Sequence, residues 1–180
     1  MERLHEECIE SETIYKGIVE FKRDKVLLEN GKTSHREYMV HPGACAIVAL
    51  DENENIYLER QFRYPFKKIF IEIPAGKLDK NEDISLCARR ELREETGLVA
   101  NELEYLGEFC PSIAFSDEII HIYLARGLRA EEQKLDDDEF LEVFKLPFDD
   151  ALKMVMDGEI TDGKSICGIL KYAQIRSSRL

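Results

Sequence analysis

The segment GKLDKNEDISLCARRELREETGL, from Gly76 to Leu98, is marked at both ends and acidic along one side. Asn81 or Asp83 is placed to cap a helix start, and Gly97 stands where a left-handed C-terminal cap falls, which predicts a helix over 83–96. Glu91, Glu94 and Glu95 lie at i, i+3 and i+4 and therefore share one face of it. Like charges one turn apart cost an isolated helix about 0.2–0.5 kcal/mol. A divalent cation reverses that penalty, and donors that are all oxygens suit Mg²⁺ or Mn²⁺ rather than zinc. Taken alone, the same spacing also suits a plain surface helix whose Arg89, Arg90 and Arg93 pair with the acids.

The rest of the chain reads as strands with few helices. Ile18–Phe21 and Lys25–Leu28 are followed by the turn signal Glu29-Asn30-Gly31-Lys32 and by a strand over Ser34–Val40. After His41-Pro42-Gly43 comes Ala44–Leu50, an unbroken apolar run that predicts a strand, and Asp51–Asn55 turns the chain into 56–61. Ile69, Ile71 and Ile73 alternate with Phe70 and Glu72, which predicts a strand with its isoleucines on one face, ended by Pro74-Ala75-Gly76. Strands near 103–110, 119–125 and 140–146 and helices near 149–157 and 161–176 complete the reading. This mixture predicts an α+β domain layered as an α/β/α sandwich over residues 41–180, with a small N-terminal β-sheet extension over 1–40.

Composition narrows the partners. With 25 Lys and Arg against 37 Asp and Glu, the net charge of −12 disfavours nucleic acid, whose phosphates need a basic face. No polybasic stretch seeks an anionic membrane, and the run Ala44–Leu50 falls far short of the ~20 apolar residues of a membrane span. The start of the chain, MERLHEE, is too polar for a signal peptide. Five cysteines, none in a C-x-x-C pair, predict reduced and mostly buried thiols in a cytoplasmic protein.

The full spacing decides what the acidic helix is for. Gly76 is followed after five residues by Glu82, and seven residues further on by Arg90-Glu91-Leu92, then Glu94-Glu95 and Gly97-Leu98. Every defined position of the Nudix box, G-x5-E-x7-R-E-U-x-E-E-x-G-U with U apolar, is filled, and the chain resembles the Nudix hydrolases. The resemblance implies the α/β/α sandwich and the hydrolysis of a nucleoside diphosphate linked to another group. It implies a Mg²⁺ (or Mn²⁺) site formed by Glu91, Glu95 and the Ala75 carbonyl, with Glu94 as a further ligand or a partner of one. Arg90 would orient the glutamates, and Glu82 would support the loop or hold a metal through water. An acidic pocket repels a diphosphate, so the metal must supply the positive charge.

Flanking stretches resemble the ADP-ribose pyrophosphatase branch: Arg36-Glu37, His41-Pro42-Gly43-Ala44, Arg60-Gln61-Phe62-Arg63-Tyr64-Pro65 and Glu72-Ile73-Pro74-Ala75-Gly76. That branch implies a homodimer in which the N-terminal sheet contributes and each active site is shared. Arg63 would then grip the diphosphate through its guanidinium fork, and Arg36 would reach the ligand across the dimer. The stretch Asp137–Val143 resembles the late loop that presents a general base. Glu139 is the expected base, with Asp137 and Glu118 as alternates, Glu118 also standing among the substrate contacts. Tyr15, Phe21 and Tyr38 are equal candidates for stacking on adenine. One departure is visible: where the branch carries Ser-Pro-Gly, this chain reads Ser112-Ile113-Ala114, with the proline at Pro111. The expected reaction is the splitting of ADP-ribose into AMP and ribose 5-phosphate. The alternatives are hydrolysis of another ADP- or GDP-sugar and a catalytically silent module that senses a nucleotide.

Overall fold

A computed structural model describes residues 4–135 and 139–178 and divides the chain into two units. One holds the residues up to Pro42 together with Cys110–Glu118; the other holds Gly43–Phe109 and the chain from Ile119 on.

In the first unit β1 (Glu7–Lys16), β2 (Glu20–Leu27) and β3 (Thr33–Val40) form an antiparallel sheet in that order. The two short strands expected at 18–21 and 25–28 are one continuous strand. The charged residues between them find cross-strand partners: Arg23 Nε donates to Glu37 at 2.8 Å and the Tyr38 hydroxyl to Asp24 at 3.0 Å. Strand β1 precedes the strands read at 18–21 and 25–28, and its polar sequence gave no sign of it because every residue of it is exposed. At the predicted turn, Leu28 N–H donates to Lys32 O at 2.8 Å, with Gly31 in the left-handed region at φ +78°. Met39 N–H donates to Phe115 O at 2.8 Å and ties Cys110–Glu118 to this sheet.

The second unit is built on β4 (Ala44–Leu50), the apolar run of the sequence. Every residue of β4 is buried, because helices cover both faces of the sheet, and this is why it reads as a continuous run rather than an alternation. Around it lie β5 (Asn55–Arg63), β6 (Lys68–Glu72), β7 (Ala75–Lys77), α1 (Ile84–Thr96), β8 (Leu98–Phe109), β9 (Ile120–Ala130), β10 (Leu141–Pro147), α2 (Phe148–Met156) and α3 (Gly163–Ser178). The strand order is β10-β5-β4-β9-β8, with β6 joined to β5 and β7 to β4. Ala46, Val48 and Leu50 face a core with Phe148, Ala151, Ile160, Ile169 and Tyr172, on the side of α2 and α3. Cys45, Ile47 and Ala49 face Cys87, Ala88 and Leu92 of α1. The unit is the expected α/β/α sandwich.

The differences from the sequence reading are local. Pro74-Ala75-Gly76 does not simply end a strand, because Ala75–Lys77 pairs antiparallel with β4. β8 begins directly after Gly97, earlier than expected, since the left-handed cap delivers the chain straight into pairing with β9. Of the cysteines, Cys45 and Cys87 are buried, Cys167 is half-buried, and Cys8 and Cys110 are exposed, so burial is less general than expected. No helix among the described residues is long and apolar enough to cross a membrane.

Candidate active site

Helix α1 is fixed at both ends by its own sequence. The Asp83 carboxylate accepts from the N–H groups of Ser85 at 2.9 Å and Leu86 at 3.3 Å, so Asp83 and not Asn81 is the cap. Gly97 takes φ +66° and donates its N–H to Arg93 O at 2.9 Å. A side chain there would be strained and would also meet Glu131 O at 2.9 Å. With its ends set, the helix buries Cys87, Ala88 and Leu92 and, on the same inward side, Glu91 and Glu95. Two carboxylates are therefore carried under the helix, where only pairing or a cation compensates them.

Each box residue has a definite partner. The Glu91 carboxylate lies against the backbone of Gly76, in the space that a Cβ there would fill. Glu95 accepts from Ala75 N–H at 2.8 Å. Arg90 donates to both oxygens of Glu82 at 2.8 Å, to Glu91 at 2.7 Å, to Glu94 at 3.1 Å and to Lys77 O at 3.0 Å. One guanidinium thus bonds the loop before the helix and two of its acids, and Glu82 takes two of its hydrogen bonds. Burial raises the Glu91 carboxyl although Arg90 opposes the rise. Burial raises Glu95 well above the ordinary range, and the charges of Glu59, Glu91 and Glu139 add to it.

The sheet under α1 supplies residues from outside the box. Gln61 Nε2 donates to Glu139 at 3.3 Å, which holds the expected base beside β5. Arg63 forks onto Glu72, Nε and Nη2 each at 2.7 Å. Lys164 donates to the same carboxylate and to Asp162 at 3.1 Å. Asp162 also accepts from Ser165 N–H at 3.0 Å at the start of α3, and Ser165 Oγ accepts from Ile73 N–H at 2.8 Å. Glu72 is 2% exposed, so the strand over 69–73 is buried on its acidic side at that end, while Ile69 is largely exposed. The isoleucine alternation marked the strand correctly but did not reveal its charged buried face.

Glu59 was not a sequence candidate. It is fully buried, and among the described residues neither carboxylate oxygen has a hydrogen-bond partner. Burial pushes it up to about 8; Lys164 opposes that and Glu72 adds to it. Its sequence signal, one acid in the strand Ile56-Tyr57-Leu58-Glu59, is too slight to separate from an exposed strand position.

Hard, mutually repelling carboxylate oxygens in a buried setting are the donor chemistry of Mg²⁺ or Mn²⁺. Among the described residues no three His, Cys, Asp or Glu side chains are already gathered to hold a metal ion. Glu91 and Glu94 are turned to Arg90, and Glu95 to the Ala75 amide, so a cation would exchange with those bonds. The glycine cradle at Gly76 and the unsatisfied oxygens of Glu59 make the residues fit the ion.

Ala75, Glu82, Arg90, Glu91, Glu94, Glu95, Arg63 and Glu139 all belong to the second unit. Arg36 and Glu118 belong to the first, Arg36 donating to Glu6 at 2.8 Å and Glu118 lying 3.4 Å from His41 Nδ1. Tyr15, Phe21 and Tyr38 are in the first unit as well. Asp137 lies outside the described residues.

Residues 39–166 match the family model described as NUDIX domain. The chain is 42% identical over 176 residues to a methanol dehydrogenase activator of Bacillus methanolicus, with 96% of this chain and 95% of the other covered. It is 41% identical over 181 residues to an ADP-ribose pyrophosphatase of Bacillus subtilis (strain 168), with 99% and 97% covered. A crystal structure of an ADP compounds hydrolase shares the fold, with a TM-score of 0.85 at 18% identity over 97% of this chain and 95% of the other.

Proposed function

The chain belongs to the Nudix family, and on that footing we propose that it hydrolyses the diphosphate of ADP-ribose to AMP and ribose 5-phosphate in a Mg²⁺-dependent reaction. The observation that carries the reading is the inward placement of Glu91 and Glu95 on α1, with Arg90 bonded to Glu82, Glu91 and Glu94.

In this reading Glu91 and Glu95, with the Ala75 carbonyl and Glu94, hold the divalent ion. When bound, the ion neutralises the diphosphate and lowers the pKa of water. Glu139 accepts the proton of the attacking water as its oxygen bonds to phosphorus and the P–O–P bridge breaks. Arg63, held by Glu72, offers its remaining N–H groups to the phosphate oxygens. Arg90 holds Glu91 and Glu94 to one guanidinium and so orients the box glutamates. The N-terminal region, residues 1–40, serves a cytoplasmic homodimer, with Arg36 and Glu118 among the substrate contacts. The full-length similarity to an ADP-ribose pyrophosphatase supports this assignment.

The Ser112-Ile113-Ala114 departure favours a second reading, hydrolysis of another nucleoside diphosphate sugar. The similarity to a methanol dehydrogenase activator favours a third, activation of a partner dehydrogenase. A product screen with Mg²⁺ over ADP-ribose, ADP- and GDP-sugars and dinucleotide cofactors separates the two hydrolase readings, and the third requires that adding the chain raise the rate of a dehydrogenase. AMP and ribose 5-phosphate formed fastest from ADP-ribose is the expected result. Faster turnover of a GDP-sugar selects the second reading, and no turnover of any diphosphate overturns the enzyme.

A further inference from the structure

Strand β5 alternates Ile56 and Leu58 toward the core under α2 and α3, so Tyr57, Glu59 and Gln61 face the opposite side, that of α1. On that face Tyr57 packs with the residues under α1, and Gln61 donates to Glu139. Glu59 lies between them in sequence and directly across the ladder from Glu72. Two buried acids opposite each other would need two sets of cations, yet Arg63 and Lys164 both bind Glu72. Glu59 receives no hydrogen bond: at 0% exposure, neither of its oxygens has a hydrogen-bond partner among the described residues.

Neither protonation state removes the problem. An ionised carboxylate lacks donors, and a protonated one still carries an O–H with no acceptor. A leucine would fill this place at no such cost. The charge of Glu59 reaches Glu95, whose carboxyl it pushes further up after burial, and Glu59 is itself raised by Glu139. The unsatisfied carboxylate thus lies on the α1 face of β5, between Tyr57, which packs under α1, and Gln61, which holds the expected base.

We propose that Glu59, outside the Gly76–Leu98 segment, supplies a further carboxylate to the divalent-cation site beneath α1. The proposal rests on the hydrolase reading above and adds a ligand to it. The sheet, and not only the helix, then takes part in holding the ion.

Mn²⁺ titration of the metal-free protein, followed by the electron paramagnetic resonance of the free ion, tests this on Glu59→Gln, Glu59→Leu and Glu95→Gln. Thermal unfolding without metal accompanies each titration. Both Glu59 variants are expected to bind Mn²⁺ about 10- to 100-fold more weakly, while their metal-free melting temperature stays level or rises. Glu59→Leu keeps the test alive if the glutamine variant misfolds, since leucine carries no polar group to leave unsatisfied. Unchanged Mn²⁺ affinity and stoichiometry in both Glu59 variants, with binding lost in Glu95→Gln, overturns the proposal and leaves the hydrolase reading standing. No Mn²⁺ binding by the unsubstituted protein overturns both.

Discussion

Arg90 grips Glu82 through two parallel hydrogen bonds, Nε and Nη2 each at 2.8 Å from a separate carboxylate oxygen. The pair fastens the loop before α1 to the middle of the helix. It leaves Nη1 to reach Glu91 and Glu94. The guanidinium fork and the Asp79 amide hold the Glu82 carboxyl down at about 2. Glu82→Gln weakens the fork and lets Arg90 swing. Supporting residues of this kind cost about 10- to 100-fold in activity when removed. The check is kcat of the glutamine variant against the parent, with circular dichroism confirming the fold; an unchanged kcat contradicts the anchoring role.

Arg63 of β5 and Glu72 of β6 form the second fork. Arg63→Lys keeps a positive charge but cannot make two planar bonds to Glu72 and still present donors to a phosphate. Loss of one charge-assisted contact of about 1.5–3 kcal/mol predicts a rise in KM of about 10- to 100-fold. Steady-state kinetics on ADP-ribose measures it, and a KM equal to that of the parent removes Arg63 from the substrate.

Glu95→Gln is expected to lower turnover by orders of magnitude, because the inward carboxylate is replaced by a neutral amide of the same shape. Chelation of divalent ions should abolish activity in the unsubstituted protein, and added Mg²⁺ should restore it. Full turnover in excess chelator contradicts the metal assignment.

Asp51 sets the β4–β5 turn by accepting from Asn53 N–H and Asn55 N–H, both at 2.9 Å, and from Lys145 Nζ at 2.9 Å. Burial alone would raise its carboxyl, but the Asn55 and Lys145 hydrogen bonds outweigh it and hold it far below the ordinary value. The folded state therefore binds this proton more weakly than the unfolded chain does. The stabilisation is fully present above the ordinary carboxylate value of about 3.9 and is lost as pH falls below it. Asp51→Ala should cost about 1.5–3 kcal/mol at pH 7 and less near pH 3. Urea unfolding at the two pH values decides it; an equal loss at both contradicts the turn assignment.

Strand β1 lies at the edge of its sheet, and Ile9, Ile14 and Tyr15 on it are exposed. Such an edge invites pairing with a second copy. Size-exclusion chromatography with light scattering should give twice the mass of the chain, and Ile14→Lys should shift it toward the monomer. A monomer at all concentrations contradicts the homodimer.

Local spacing made α1 legible. Asp83 and Gly97 bound it, and Glu91, Glu94 and Glu95 recur at helical period, so their shared face follows from covalent geometry alone. Ala44–Leu50 was legible for a similar reason, since a strand covered on both sides must be apolar throughout. Strand β1 was not, because an exposed strand has no hydrophobic pattern to read.

The sequence by itself determined the family, the acidic helix and the arginine that organises it, since these depend on residue types a few positions apart. Only the tertiary structure decided where Glu59 and Glu72 lie and which of them is compensated. Lys164 reaches Glu72 across 92 residues of chain, and Glu59 is left without a hydrogen bond among the described residues. Burial and pairing are properties of the packed layers, fixed by which elements meet rather than by the order of residues along any one of them.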